Sequence, residues 1–286
     1  MCRLFGFRSV IQSQVHRSLL DADNALAVQS ERHPDGWGVA YYVDGSPHLT
    51  KSVAGAMDDS LFRKVSGIVS SETVIAHIRK ATQGNLSVLN SHPFQYGRWV
   101  FAHNGDIPDF ANQREMLENA IAPRLRRFIL GDTDSERIFF LFLTELSKYG
   151  PLDSRIGIDS VIAALEETIT AVRLLCDRPG SKPGDTGRCL LTLMVTNGST
   201  MAAVHGGKEL FYSSYKTRCA DRDVCPSLSK ECEHPTQTGF VNHLIVSSEP
   251  LQGDNIWLEM KEGDIVGVDW RMRLFDQTLV NPQAAS

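Results

Sequence analysis

The chain opens with Met1-Cys2-Arg3-Leu4-Phe5-Gly6-Phe7-Arg8, a short apolar stretch that we predict to be a β-strand. Short strands and two helices are predicted through the first hundred residues, three helices between residues 109 and 172, and strands again from residue 190 to 268. The run Ile138-Phe139-Phe140-Leu141-Phe142-Leu143 is apolar on all sides and therefore predicts a buried helix. Elements segregated in this order favour a layered α+β fold over a doubly wound sheet.

Local signals predict the bounds of several elements. Residues 36–43 and 49–53 are predicted strands joined at Asp44-Gly45, a hairpin turn signal. Residues 20–30 have the pattern of an amphipathic helix, and Pro123 should end the helix that starts near residue 109. The segment 178–187 is rich in Pro, Gly and charge, which predicts an exposed loop.

Composition excludes several classes of protein. Of the 286 residues, 42% are hydrophobic and 22% are charged, which is typical of globular proteins and unlike disordered or fibrous chains. A net charge of −5 and a pI near 6.0 argue against nucleic-acid binding. No apolar run reaches the roughly 18 residues of a membrane helix, and no signal-peptide pattern is present. We therefore expect a cytoplasmic protein that binds neither nucleic acid nor membrane.

Cys2 is the first candidate for chemistry. Methionine is normally removed before a small residue, so the mature chain would begin with Cys2 and its free α-amine. An amine with a pKa of about 8 beside a thiol could act as its general base. The alternative is a buried thiol in the first strand.

The stretch His77-Ile78-Arg79-Lys80-Ala81-Thr82-Gln83-Gly84 follows an apolar run and leads into a Gly-containing turn. Arg79 at such a strand end could bind a substrate carboxylate through two hydrogen bonds. The alternative is an ordinary exposed arginine at the end of a strand.

Two further stretches have both a structural and a functional interpretation. Asn104-Gly105 is a turn signal, but its amide and N–H groups could also form an oxyanion hole. Thr133 and Glu136 fit a helix capping box. Asp134 suits the first turn of that helix, or could instead bind a substrate ammonium.

Taken together, these residues supply a nucleophile, a carboxylate clamp, an oxyanion hole and an ammonium acceptor, as splitting the side-chain amide of an α-amino acid requires. The chain resembles the class II glutamine amidotransferases, which have the N-terminal-nucleophile hydrolase fold. The family's motifs match Met1-Cys2, His77 to Gly84, His103-Asn104-Gly105, Thr133 to Glu136, Arg32-His33-Pro34-Asp35-Gly36-Trp37-Gly38 and Asn90-Ser91-His92-Pro93-Phe94.

The resemblance implies a four-layer αββα sandwich formed by a single domain over residues 1–286. It implies that Cys2 attacks a γ-glutamyl carbonyl and that water hydrolyses the resulting thioester to glutamate. Asn104 and Gly105 would stabilise the oxyanion. The substrate-binding residues would be Arg79 for the α-carboxylate, Asp134 for the α-ammonium, and Thr82 and His103 to shape the pocket, His103 as an orienting residue rather than a base. No cofactor or metal is implied, and no Gly-rich phosphate loop is present.

Some details separate the chain from the glucosamine-6-phosphate synthase type, which has Trp and His where this chain has Lys80 and Gln83. Residues 35–38 and Ser247-Ser248-Glu249-Pro250-Leu251 instead resemble a stand-alone subfamily. That subfamily includes the γ-glutamyl hydrolase of ergothioneine synthesis and a subunit of a glutathione-degrading complex. Because the domain uses most of the chain, we expect no synthase domain within it.

Two alternatives stay open. Cys219, Cys225, Cys232 and His234 could hold zinc, although their spacing lacks the tight pairs of strong zinc signatures. The chain could also be a glutaminase subunit that delivers ammonia to a separate synthase partner, or a homo-oligomer. The γ-glutamyl substrate itself would be a small molecule whose amine side the sequence does not identify.

Overall fold

Two stacked antiparallel sheets form the centre of the molecule in a computed structural model that describes residues 2–14, 17–22 and 24–279. The predicted removal of Met1, and the last residues of the predicted domain, therefore lie outside the described residues. The first sheet has seven strands in the spatial order β11 (Leu258–Glu259), β9 (Phe211–Ser213), β10 (His243–Ser247), β1 (Arg3–Gln14), β4 (Ser70–Ile78), β2 (Trp37–Val43) and β3 (Ser46–Ser52).

The second sheet has six strands and contains the middle and the end of the chain. Its spatial order is β13 (Leu274–Thr278), β12 (Asp264–Val268), β8 (Met201–Val204), β7 (Leu190–Thr196), β6 (Trp99–Asp106) and β5 (Phe94–Tyr96). β6 pairs with β7 from Val100↔Thr196 to Asp106↔Leu190, so residues almost a hundred positions apart lie side by side.

Helices cover the outer faces of both sheets. They are α1 (Leu26–Gln29), α2 (Ser60–Ile68), α3 (Phe110–Ala120), α4 (Pro123–Arg126), α5 (Asp134–Leu146) and α6 (Ile158–Cys176). No helix of the described segments is long and apolar enough to cross a membrane.

Three buried apolar clusters separate four layers. Alternate residues of each strand point to opposite faces, so Leu4 and Ala102 lie in the cluster between the two sheets. Phe5 lies in the cluster beneath α1 and α2, whereas Phe101 lies in the cluster beneath α3, α5 and α6. This arrangement is the predicted αββα sandwich.

The buried helix α5 is attached directly to β6. The rings of Phe101 and Phe139 stack with their centroids 5.2 Å apart, a contact that contributes about 1 kcal/mol beyond the area it buries. This packing holds the N-terminus of α5 beside the second half of β6, where several candidate site residues lie.

The predicted hairpin is confirmed, whereas two predicted helices differ. Asp44 and Gly45 have φ angles of +49° and +76° and join β2 to β3. The predicted helix over residues 20–30 is broken, because the side chain of Asn24 is hydrogen bonded to the main chain of Pro250 and Gln252 at the break. Pro123 starts the short helix α4 after α3 has ended at Ala120, as its missing N–H allows.

Candidate active site

Cys2 and Arg79 are neighbours on adjacent strands. The pairing of β1 with β4 runs to Arg3↔Ile78, and one further step of this register sets Cys2 opposite Arg79. Cys2 is two residues from Leu4, and Arg79 is four residues from Ile75. Residues an even number of positions apart share one face of a strand, and Leu4 and Ile75 both pack between the sheets. Strand alternation therefore directs both side chains towards the gap between the two sheets.

The thiol of Cys2 contacts the main chain just beyond β4. Its Sγ lies 3.3 Å from the amide nitrogen of Lys80 and 3.4 Å from the carbonyl oxygen of Lys80. Burial raises the pKa of the Cys2 thiol, the positive charge of Arg79 lowers it, and the negative charge of Asp134 raises it. The thiol therefore needs a base to become a nucleophile at neutral pH.

Arg79 is buried, with 3% of its surface exposed, so it is not the exposed strand-end arginine of the alternative interpretation. Its guanidinium donates from Nη1 to the carbonyl of Asn85 at 3.2 Å and from Nη2 to the carbonyl of Gln83 at 3.0 Å. These bonds occupy two of its five N–H donors and fix the plane of the guanidinium. Its other N–H donors form no hydrogen bond within the part of the chain that the structure describes.

Asp35 holds the segment around Arg79, a role that the sequence pattern does not predict. Its Oδ2 accepts a hydrogen bond from the amide of Ala81 at 2.9 Å, while its own amide donates to the carbonyl of Arg79 at 3.2 Å. Only its place in the motif spanning residues 32–38 could have drawn attention to it, because its partner lies more than forty residues away.

The stretch around Asn104 and Gly105 is a strand rather than the turn that its composition suggests. Both residues lie in β6, opposite Thr192 and Leu191 of β7. The amide of Leu191 donates to Gly206 on the other side of β7, so the pair Gly105↔Leu191 is a non-hydrogen-bonded one. The N–H of Gly105 consequently points away from β7, past the end of the short strand β5.

Asn104 presents a free amide next to that N–H. It is two residues from Ala102 on the same strand, so it lies on the same face and points into the gap between the sheets, as Cys2 and Arg79 do. Its side chain is 4% exposed and forms no hydrogen bond within the described part of the chain. Two donors without a partner among the described residues therefore lie on consecutive positions.

His103 points to the opposite face of β6, towards the helices. Its Nε2 lies 2.8 Å from the carbonyl oxygen of Leu190 and its Nδ1 lies 2.9 Å from Oγ of Ser135. Because a carbonyl can only accept, Nε2 of His103 carries a proton and donates it to Leu190. His103 therefore joins β6, β7 and α5.

Asp134 is the first residue of α5 and is buried. Its Oδ2 accepts from the amide of Ile107 at 2.8 Å, and its Oδ1 accepts from the amide of Ser135 at 2.8 Å. Burial, followed by the negative charge of Asp134, raises the pKa of Asp106, which follows Gly105 directly. The carboxylate of Asp134 thus ties α5 to the segment that leaves β6, and its charge acts on Cys2 and Asp106.

The predicted capping box is only partly present. Thr133 is the N-cap, with Oγ1 accepting from the amide of Glu136 at 3.3 Å. The Glu136 carboxylate instead accepts from the amides of Leu130 and Gly131. It thereby stabilises the turn that precedes the helix.

Thr82 lies in the loop after Arg79 and its surface is exposed. No hydrogen bond of its side chain is present in the described segments. Asn90, which the sequence indicated only as part of a motif, holds the far end of the same loop. Its Nδ2 donates to the carbonyl of Asn85 at 3.0 Å and its Oδ1 accepts from the amide of Asp132 at 2.8 Å.

The cysteines of the possible zinc site lie elsewhere in the molecule. Cys219, Cys225 and Cys232 line a pocket of about 80 Å³ against the outer face of β1 and β10, and His234 is not part of its lining. Among the described residues, no three His, Cys, Asp or Glu side chains form a group that could hold a metal ion. The structure therefore does not assemble the four ligands that this alternative needs.

Comparison with known proteins gives a family match over most of the chain. Residues 1–271 match the family model described as "Glutamine amidotransferases class-II". The chain is 34% identical over 222 residues to a Saccharomyces cerevisiae protein named "Probable glutamine amidotransferase DUG3". That match covers 70% of this chain and 62% of the yeast protein, so this chain spans less than two thirds of that relative.

A second relative and a solved structure extend the comparison. The "Gamma-glutamyl-hercynylcysteine sulfoxide hydrolase" of Mycobacterium tuberculosis is 34% identical over 117 residues, which cover 37% of this chain and 50% of that protein. The structure of a glutamine aminotransferase class-II domain protein from Silicibacter pomeroyi superposes with a TM-score of 0.62 at 22% identity. It covers 98% of this chain and 100% of the other, and it confirms the predicted four-layer fold.

Proposed function

The chain belongs to the class II glutamine amidotransferases and is an amidohydrolase, and we propose that it hydrolyses the γ-glutamyl amide bond of glutamine or of another γ-glutamyl compound. Cys2 would be the nucleophile, and a covalent γ-glutamyl thioester the intermediate. The family match supports the class of reaction. The placement of Cys2, Arg79 and Asn104 on facing strands supports the assignment of residues.

The reaction begins when Sγ of Cys2 attacks the γ-carbonyl carbon and its proton passes to the α-amine of the processed N-terminus. That base is needed because burial raises the pKa of the thiol. The carbonyl electrons move onto the oxygen, and the amine leaves with the proton that the N-terminus returns. Water then attacks the thioester, which regenerates the thiol and releases glutamate.

The oxyanion would be held by Nδ2 of Asn104 and the N–H of Gly105. Both donors lack a partner in the described part of the protein and lie on consecutive residues. Donors fixed in place before the reaction stabilise the developing charge without reorganisation. Removing one such donor typically lowers kcat about 10²- to 10³-fold.

The glutamyl end of the substrate would be held by charge. Arg79 is buried, lies opposite Cys2 in the strand register, and has N–H donors that no described residue accepts, so it suits the α-carboxylate. Asp134, whose charge acts on the Cys2 thiol, suits the α-ammonium. Thr82 would line the pocket. His103 would position Asp134 rather than contact the substrate, because Ser135 contacts Nδ1 of His103 through Oγ and donates from its amide to Oδ1 of Asp134.

A single observation carries this proposal: Cys2, Arg79 and Asn104, which are distant in sequence, are directed by strand alternation into one gap between the sheets. The proposal is tested by the intact mass of the purified protein before and after 6-diazo-5-oxo-L-norleucine, a glutamine-shaped alkylating agent. We expect loss of Met1 and a single adduct that maps to Cys2, and no adduct in Cys2→Ala.

A retained Met1 without any adduct would contradict the proposal. Glutamate release by the purified chain alone, measured with glutamine and with γ-glutamyl peptides, then identifies the amine side of the substrate. Release that begins only when a synthase partner is added would instead support a glutaminase subunit that passes on ammonia.

A further inference from the structure

Two cysteines that the proposed reaction does not use lie at the neck of the 177–188 loop. The helix α6 ends at Cys176, and β7 begins at Leu190, directly after Cys189. Between these ends the chain forms the exposed loop that the sequence predicted. This loop leaves and re-enters the fold at one place.

The two sides of the neck run antiparallel. The amide of Arg178 donates to the carbonyl of Gly187 at 2.9 Å. The amide of Cys189 donates to Oδ1 of Asp177 at 2.7 Å. The side chain of Arg178 also faces Gly187, where an added Cβ would lie 2.7 Å from Cδ of Arg178. Arg178 and Gly187 are therefore opposite one another.

These hydrogen bonds bring the two cysteines close together. Cys176 directly precedes Asp177, whose carboxylate accepts the hydrogen bond from the amide of Cys189. Both cysteine side chains are buried in the cluster beneath the helices, with 2% and 1% of their surfaces exposed. The contact between the thiols lowers the pKa of Cys176 and raises the pKa of Cys189. An unequal pair of this kind has one thiol suited to attack and one suited to resolve.

We propose that Cys176 and Cys189 are a redox-active pair that forms a disulfide across the neck of the 177–188 loop when the protein meets a small-molecule disulfide. The thiolate of Cys176 attacks one sulfur of the small disulfide and releases one equivalent of the small thiol. The thiolate of Cys189 then attacks Cys176 Sγ in the mixed disulfide and releases the second equivalent. The protein loses two hydrogen atoms and the small disulfide gains two.

The position of this bond matters for the fold around β6. Leu190, the residue after Cys189, provides the carbonyl that accepts from His103 Nε2 at 2.8 Å. The same carbonyl oxygen would lie 1.8 Å from a Cβ added to Gly105. A disulfide at Cys189 therefore anchors the start of the strand against which His103 and Gly105 pack. Closing a loop of this length should raise the thermal midpoint on the order of 5 °C.

The test compares the reduced protein with the protein equilibrated with oxidised glutathione. After free thiols are blocked with N-ethylmaleimide, a non-reducing digest should contain a peptide that joins Cys176 to Cys189, and the thermal midpoint should rise. In Cys189→Ser both effects should disappear, whereas in Cys225→Ser, which alters a cysteine of the 219–232 segment, both should persist.

Two outcomes would overturn the proposal: blocked, unlinked Cys176 and Cys189 in the oxidised parent, or the same rise in the thermal midpoint in Cys189→Ser. The peptide map of the parent protein needs no variant, so it remains decisive if Cys189→Ser does not fold. Because neither readout uses turnover, the result is independent of the proposed hydrolase reaction.

Discussion

Ser248 binds both main-chain groups of Leu4. Its amide donates to the Leu4 carbonyl at 3.0 Å, and its Oγ accepts from the Leu4 amide at 3.0 Å. In a regular antiparallel pair the carbonyl of Ser248 would accept from the Leu4 amide, and here Oγ of Ser248 accepts that hydrogen bond instead. Through this pair, the 247–249 segment holds the strand that begins immediately after Cys2.

Ser248→Ala should slow the reaction more than it weakens substrate binding. The substitution leaves the buried amide of Leu4 without its acceptor, which costs about 1–3 kcal/mol of unfolding free energy. A loosened nucleophile should lower kcat about tenfold while KM changes less than about twofold. The matched control is Ser247→Ala, since the single hydrogen bond of Ser247 Oγ to a described residue is a long one of 3.4 Å from the amide of Glu249. Equal effects of the two substitutions on kcat would contradict a positioning role for Ser248.

Arg79→Lys should weaken binding of the substrate carboxylate. A lysine keeps the charge but lacks the planar fork that pairs with a carboxylate. We expect glutamine to protect Cys2 from alkylation about 10- to 100-fold less well, which corresponds to the loss of one charged hydrogen bond. With 4-aminobutanamide, which lacks the α-carboxylate, parent and variant should be protected equally. A similar loss of protection with both compounds would indicate that Arg79 only supports the loop through Gln83 and Asn85.

Asp134→Asn should show the complementary behaviour. The amide can still accept from Ile107 through one oxygen, but it has no charge to attract an ammonium. Protection of Cys2 by glutamine should fall about tenfold or more, whereas protection by glutaramate, which lacks the α-amine, should not fall. If protection by glutaramate falls as far as protection by glutamine, Asp134 acts by holding the start of α5.

Gly105→Ala should be strongly destabilising. The added Cβ would lie 1.8 Å from the carbonyl oxygen of Leu190 and 2.6 Å from Nε2 of His103. The two strands must separate, at a cost of about 3 kcal/mol in the free energy of unfolding. Gly157→Ala is the matched control, because its added Cβ meets nothing within 4 Å. Urea unfolding of both variants checks this prediction, and equal midpoints would contradict it.

His77→Phe should make the protein less sensitive to acid. His77 is buried, and burial lowers its pKa from 6.5 to about 3. Between these values the unfolded chain binds a proton that the folded protein does not, so the unfolding free energy falls as the pH falls. Removing the imidazole should reduce that slope by about 1.4 kcal/mol per pH unit between pH 6 and 4. Urea unfolding at several pH values measures the slope, and identical slopes would show that His77 does not titrate in this window.

The sequence was informative where a structure depends on neighbouring residues. The turn at Asp44-Gly45 is formed as predicted, because a two-residue hairpin turn depends on residues that readily adopt positive φ. Thr133 caps α5 because its partner, Glu136, is three residues away. The motifs around Cys2 and Arg79 were visible for the same reason, and their proposed roles remain predictions.

The sequence by itself determined the class of fold and the family, because both depend on patterns that can be read in order along the chain. Tertiary structure decided which groups meet. Asn104-Gly105 has the composition of a turn, yet pairing with β7, about ninety residues later, makes it a strand and turns the Gly105 N–H outward. Asp35 meets Ala81, Ser248 meets Leu4, and Asp177 meets Cys189, through contacts that leave no local signal. These pairings depend on which strands and helices become neighbours, and a free-energy balance over the whole molecule decides that.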